Sequence, residues 1–121
     1  PQHHALIRQL EREGAANALL AGLAFGQAAL MAPVVEEILF RGFLLAGFQR
    51  VLGAVGALLA AALCFGAVHQ GFEHVLPMAA LGFLFGSLVL YSPQRSLVGA
   101  MTAHALHNGL TLALVLGALA S

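Results

Sequence analysis

Long apolar runs and short polar clusters alternate along the chain. Four stretches, 14–35, 51–69, 74–94 and 96–121, contain no Asp, Glu, Lys or Arg. Each is close to the roughly 20 residues that a helix needs to span the hydrocarbon of a bilayer, which predicts four spanning helices. Residues 36–50, between the first two, reach only about 22 Å as a helix and predict a short, tilted or partly buried fifth. The expected fold is therefore all-α, a polytopic integral membrane helical bundle of four to five transmembrane helices. Residues 1–13 are polar and mixed in charge, so the expected division is a polar N-terminal segment, 1–13, and a membrane core, 14–121. Pro33 disfavours helical geometry at Ala32 and predicts a break there, with Glu36 and Glu37 in the first turn of a new helix, where the macrodipole favours carboxylates. Pro77 suits an early helical position, and "YSPQRS" at 91–96 reads as a loop.

Composition strengthens the membrane assignment. The 121 residues are 60% hydrophobic and 8% charged, against about 25% charged in soluble domains, and the mean hydropathy is +0.91. Membrane lipid is the expected surrounding. Formal net charge is zero and the five arginines are scattered, without the basic stripe of a nucleic-acid binder, so no nucleic-acid partner is expected. Abundant Ala, Leu, Gly and Arg without Lys points to a bacterial cell membrane. Counting alternate spans places Arg8, Arg12, Arg50 and Arg95 on one side, which predicts a cytoplasmic N-terminus. The single Cys64 cannot pair within the chain and is read as packing. "GLAFG" (Gly22, Gly26) and "GFLFG" (Gly82, Gly86) are small-xxx-small patterns, read as close helix packing inside one bundle. The chain opens on Pro1 without an initiator Met, as expected of a processed or excised piece, and shows no signal-peptide pattern.

The polar groups inside apolar runs carry the chemistry. An ionisable side chain at mid-membrane costs at least about 2.5 kcal/mol, so each calls for a partner or a function. They fall into three clusters: Glu36, Glu37 and Arg41 in "EEILFR", His69 closing "FGAVH", and His104, His107 and Asn108 in "HALHN". In a helix Glu37 and Arg41 are i,i+4 neighbours and can pair, leaving Glu36 about 100° away and free. His104 and Asn108 share a face one turn apart and can aim at one ligand. Phe65 and His69 repeat that spacing, so the ring can wall the histidine. His74 and His107 are read as packing residues, and His3 and His4 as exposed.

Taken in order, these three motifs resemble those of the CPBP intramembrane proteases, the CAAX proteases and bacteriocin-processing enzymes also called the Abi family: E-E-x-x-x-R, F-x-x-x-H and H-x-x-x-N. With its flanking helices the resemblance covers nearly all of the chain after Gly14, and every motif position is occupied. It implies a polytopic helical core that hydrolyses peptide bonds in the membrane. By motif position Glu36 is expected to be the catalytic glutamate, Glu37 and Arg41 its supports, and His69 the histidine that helps hold the water. His104 and Asn108 match positions that polarise the scissile carbonyl. His107 lies outside the motif. The implied partner is a protein or peptide substrate, cut near the C-terminus of a lipid-anchored chain if the resemblance extends to substrate.

Two features of the chemistry stay open. Glu36, His69 and His104 could form a His/His/carboxylate set for zinc, but no H-E-x-x-H motif is present and a metal-free glutamate mechanism, with no cofactor required, is favoured. A non-catalytic membrane scaffold or bacteriocin self-immunity protein is the alternative to an enzyme, and an ion or metal transporter with a His/Glu-lined path is a third possibility. The chain contains no aspartate and no G-x-S-G motif, which removes aspartyl and rhomboid-like serine chemistry.

Overall fold

The computed structural model describes the backbone of residues 2–69 and 71–120 and the side chains of 12–14, 17–69 and 71–118. Within these residues the fold is all-helical, with no strand. Helix α1 (Gln2–Gly26) passes through a π-helical turn (Gln27–Met31) into α2 (Ala32–Glu37), and a second π-helical stretch (Ile38–Leu45) leads into α3 (Ala46–Val68). A 3-10 turn (Phe72–His74) precedes α4 (Val75–Tyr91), and α5 (Leu97–Ala120) follows the loop at 92–96. Two helical stretches of the described residues are long and apolar enough to cross a membrane, Arg12–Val68 and Phe72–Tyr91. The expected exposure of His3 and His4 falls outside the described side chains.

The break expected at Ala32 does not occur. Ala32 keeps helical dihedrals (φ −60°, ψ −49°), and its N–H reaches back five residues to the Gln27 carbonyl. A wide π turn just before Pro33 thus absorbs the proline without interrupting the helix. Residues 36–50 are consequently not a separate fifth helix but part of one helical run that begins in α1.

That run ends at Gly53. Its φ of 68° and ψ of −176° lie where only glycine is comfortable, and they divide α3 into two arms. The second arm folds back on the first: Leu45 packs with Ala57, Leu58 and Ala61 in a buried cluster, with Phe48 against it. Helix α4 then lies along α3, and α5 packs against α4 and against the α2 region.

The π-helical turns also set which face is buried. Ala29, Pro33, Glu37, Arg41 and Leu45 are all buried and stand four residues apart. In an α-helix of 3.6 residues per turn each such step drifts about 40° round the axis, so a row of five would wind off its face. Wider turns at Gln27–Met31 and Ile38–Leu45 offset the drift, and the row stays on the side that meets α4 and α5.

The two glycine patterns part company. Gly82 and Gly86 are buried against α3, in keeping with packing inside the bundle, whereas Gly22 and Gly26 have nothing within 4 Å of where a Cβ would stand. His74 is exposed beside Glu73 (3.7 Å) in the turn before α4, not packed as expected, because the helix starts only at the following residue.

Gly66 sits tightly in the α3–α4 contact, where an added Cβ would run into the Val75 carbonyl oxygen, main chain that cannot swing aside. At Gly86 the same atom would meet the Leu58 Cδ1 tip at 2.5 Å, which can rotate. Gly66→Ala is expected to destabilise the fold by about 1–3 kcal/mol, the usual cost of overpacking, and Gly86→Ala by clearly less. Unfolding of the two variants in detergent by denaturant titration measures the difference.

Candidate active site

Glu37 occupies the centre of the polar cluster and is fully buried, at 0% exposure. Its Oε1 stands 3.0 Å from Arg41 Nη1, one turn along the same helical run. Arg41 Nη2 donates to the Gly82 carbonyl of α4 at 2.9 Å, so a single guanidinium ties the carboxylate to a neighbouring helix. Aromatic rings enclose the cation, with Phe65 4.6 Å, Phe85 5.6 Å and Phe40 5.9 Å from the guanidinium carbon. Their electron-rich faces replace part of the hydration that burial removes.

His104 reaches the same carboxylate oxygen from α5. Its Nδ1 lies 2.8 Å from Glu37 Oε1, and because a carboxylate accepts, the nitrogen donates. The ring is stacked on Phe85, with centroids 4.6 Å apart at 21°. This turns the other nitrogen, Nε2, towards Glu36, whose Oε2 is 3.7 Å away. Glu36 differs from its neighbour as the helical spacing predicts. Its side chain is 29% exposed where that of Glu37 is enclosed, and the Oε2 of each is buried with no hydrogen bond among the described residues.

His69 stands just past the end of α3 in extended conformation, and its imidazole turns back onto the helix it terminates. Nδ1 donates to the Phe65 carbonyl at 2.7 Å, satisfying one of the last-turn carbonyls that a helix leaves without a main-chain donor. That bond fixes Nε2 as the nitrogen left without a proton in the neutral ring. Phe65 does wall the histidine, at 4.6 Å between centroids.

Glu36, His69, His104 and Asn108 line one cavity of about 330 Å³, while Glu37 and Arg41 lie outside its lining. Apolar side chains of α4 and α5, among them Leu81 and Val115, form much of the remaining wall. His107 lines the same cavity, contrary to its reading as a packing residue. It stands three residues from His104, and i,i+3 positions share a helix face, so spacing alone held the signal. Asn108 Nδ2 donates to the Ala28 carbonyl at 3.0 Å, which joins α5 to the first π-helical turn, a link that no motif announced.

The donors suit acid–base work. Two imidazoles each have Nδ1 committed to an acceptor, the Glu36 carboxylate is near His104 but accepts no hydrogen bond at Oε2 among the described residues, and an amide carries a spare N–H. As a metal site the set falls short: among the described residues no three His, Cys, Asp or Glu side chains converge as a ligand group.

The chain matches a known family. The family model described as Rce1-like, type II CAAX prenyl endopeptidase Rce1-like, matches residues 15–110, a span that contains all three polar motifs. No curated protein and no solved structure matches the chain.

Removing Arg41 would leave Glu37 as an uncompensated buried charge. Arg41→Met is expected to destabilise the protein by about 3–5 kcal/mol, and adding Glu37→Gln, which removes the charge but keeps an oxygen for His104, should recover much of that loss. Denaturant unfolding of the single and double variants in one detergent tests the pairing.

Proposed function

The chain belongs to the Rce1-like family of type II CAAX prenyl endopeptidases, and from that membership we propose that it is an intramembrane endopeptidase with Glu36 as its general base. One observation carries the proposal: Glu36, His69, His104 and Asn108, brought from three separate parts of the chain, line a single cavity beside the buried Glu37–Arg41 pair. A structural ion pair needs only Glu37. The second glutamate, which lines the cavity and has no arginine partner, is what hydrolysis requires.

In the proposed reaction a water is held between the Glu36 carboxylate and His69 Nε2, both of which accept hydrogen bonds. Glu36 takes one proton as the oxygen attacks the scissile carbonyl carbon. The negative charge that develops on the carbonyl oxygen is met by the free N–H of Asn108 and by His104 Nε2–H. His104 then carries protons on both nitrogens, and with Glu36, Glu37 and Arg41 the cluster sums to zero formal charge. Collapse of the tetrahedral intermediate breaks the C–N bond, and Glu36 returns its proton to the leaving amine. A positioned base of this kind contributes about 10²–10⁴-fold, and each oxyanion donor about 2.7–4 kcal/mol.

Substrate class follows the family description: a peptide bond near the C-terminus of a lipid-anchored protein or peptide. Four helical arms, the run ending at Gly53 and those at 54–68, 75–91 and 97–120, are proposed to cross the membrane, with the cavity opening among them. The mechanism proposed is metal-free. Activity should therefore survive prolonged incubation with a strong chelator, and a loss reversed specifically by zinc would replace Glu36 as base with a metal-bound water.

Glu36→Gln is expected to lower turnover by at least about 10²-fold while the protein stays folded. Mass spectrometry of N- and C-terminal peptides, from membranes of cells expressing either form at matched levels, reads this out whatever the substrate. New termini that need Glu36 identify protease and substrates together. Their absence, with the variant retaining the cellular phenotype, would turn the assignment to a non-catalytic membrane role.

A further inference from the structure

The link between Asn108 and Ala28 has an unusual origin in the main chain. In an α-helix the Ala28 carbonyl would accept from the N–H of Ala32, four residues on. Here that N–H is taken by the Gln27 carbonyl, five residues back, in the π-helical turn. In the same π register Ala28 would look to residue 33, and residue 33 is proline, which has no N–H. The Ala28 carbonyl is therefore left without either of its helical partners. In an apolar setting an acceptor so exposed is costly, and the Asn108 amide supplies the missing donor at 3.0 Å.

This bond fixes more than a helix contact. A carbonyl oxygen can only accept, so it must be Nδ2 of Asn108, not Oδ1, that faces Ala28. The amide plane is set, its two ends cannot exchange, and the second N–H of Nδ2 is directed away from Ala28. Asn108 lines the cavity that holds Glu36 and His104. We propose that Pro33 is a positioning residue for Asn108: by withholding an N–H from the Ala28 carbonyl, it creates the acceptor that orients the amide and leaves one N–H available to a substrate carbonyl.

Pro33 itself is buried, absent from the cavity lining, and three residues before Glu36. It touches no reacting atom and acts only through Asn108. The contact of Asn108 with a substrate carbonyl rests on the proteolytic function proposed above, whereas its orientation by Ala28 does not.

The experiment compares wild-type protein with Pro33→Ala in detergent, following the side-chain ¹⁵N–¹H amide pair of Asn108, assigned through its loss in Asn108→Leu. An alanine at 33 restores an N–H that can satisfy Ala28, so the Asn108 pair is expected to shift and to lose its protection from hydrogen exchange. An unmoved pair with unchanged protection overturns the proposal. Should Pro33→Ala fail to fold, the ¹³C carbonyl resonance of Ala28 decides in the native-proline background: Asn108→Leu must move it to the position of an acceptor without a donor, and no movement refutes the link.

Turnover supplies a second readout on a farnesylated peptide ending in a CAAX-type sequence. Pro33→Ala is expected to lower kcat by about tenfold with little change in KM, less than the 10²–10³-fold loss of a deleted oxyanion donor because the amide is misaimed and not removed. Combined with Asn108→Leu it should cost nothing further. Equal kcat in wild type and Pro33→Ala, or full additivity with Asn108→Leu, counts against a positioning role. If the wild-type protein does not cleave the peptide, the proteolytic assignment is in question while the amide resonances still decide the orientation.

Discussion

A single buried carboxylate oxygen organises this protein. Glu37 Oε1 is shared between Arg41 of its own helix and His104 of α5, and Arg41 in turn reaches the Gly82 carbonyl of α4. Three helical segments thus meet through one atom and its two cationic or potentially cationic neighbours. In a bundle held largely by Ala, Gly, Leu and Phe contacts, which are short-range and tolerant of sliding, such a node helps set the register between helices. It also frees the adjacent Glu36 from structural duty. The division of labour between adjacent glutamates follows from helix geometry: about 100° apart, Glu37 points at Arg41 inside the bundle while Glu36 meets the far side of the His104 ring.

Keeping that node inward depends on a four-residue row that an ordinary α-helix would not hold on one face. The two π-helical stretches correct the drift, and the first of them also accommodates Pro33. π turns are rare and concentrate at functional sites. Here they accompany a row, Ala29, Pro33, Glu37, Arg41 and Leu45, that is buried along its whole length against α5, α4 and the second arm of α3. The altered hydrogen-bond register then leaves the Ala28 carbonyl for Asn108, so the device that aligns the row also helps join α5 to it.

Much of the site is legible from spacing. The i,i+4 relations of Glu37 with Arg41 and of His104 with Asn108 describe neighbours on one helical run, and that of Phe65 with His69 holds although His69 lies just past the helix end, where its ring turns back onto the last turn. What spacing does not give is the path of the main chain. Pro33 forbids one N–H and crowds the residue before it, but a π turn meets both demands without a break, and nothing in the sequence distinguishes the two responses. Gly53 reverses the chain, yet it is one of 14 glycines in a composition where glycine is ordinary within membrane helices. His107 stands outside the three motifs, although its offset from His104 places it on nearly the same face. The Asn108–Ala28 bond joins residues 80 apart and depends on a carbonyl made available by register, so no local pattern encodes it.

The order of these groups along the chain bears on how the protein reaches its membrane. During synthesis the segment with Glu36, Glu37 and Arg41 emerges well before His104, 67 residues after Glu37. For that interval Glu37 cannot use the imidazole. Its partner one turn away travels with it, so carboxylate and guanidinium can leave water as a closed pair rather than as two separate charges. Arg41 therefore serves the nascent chain before it serves the finished bundle, and the last helix to arrive completes a site whose charged half has already been delivered.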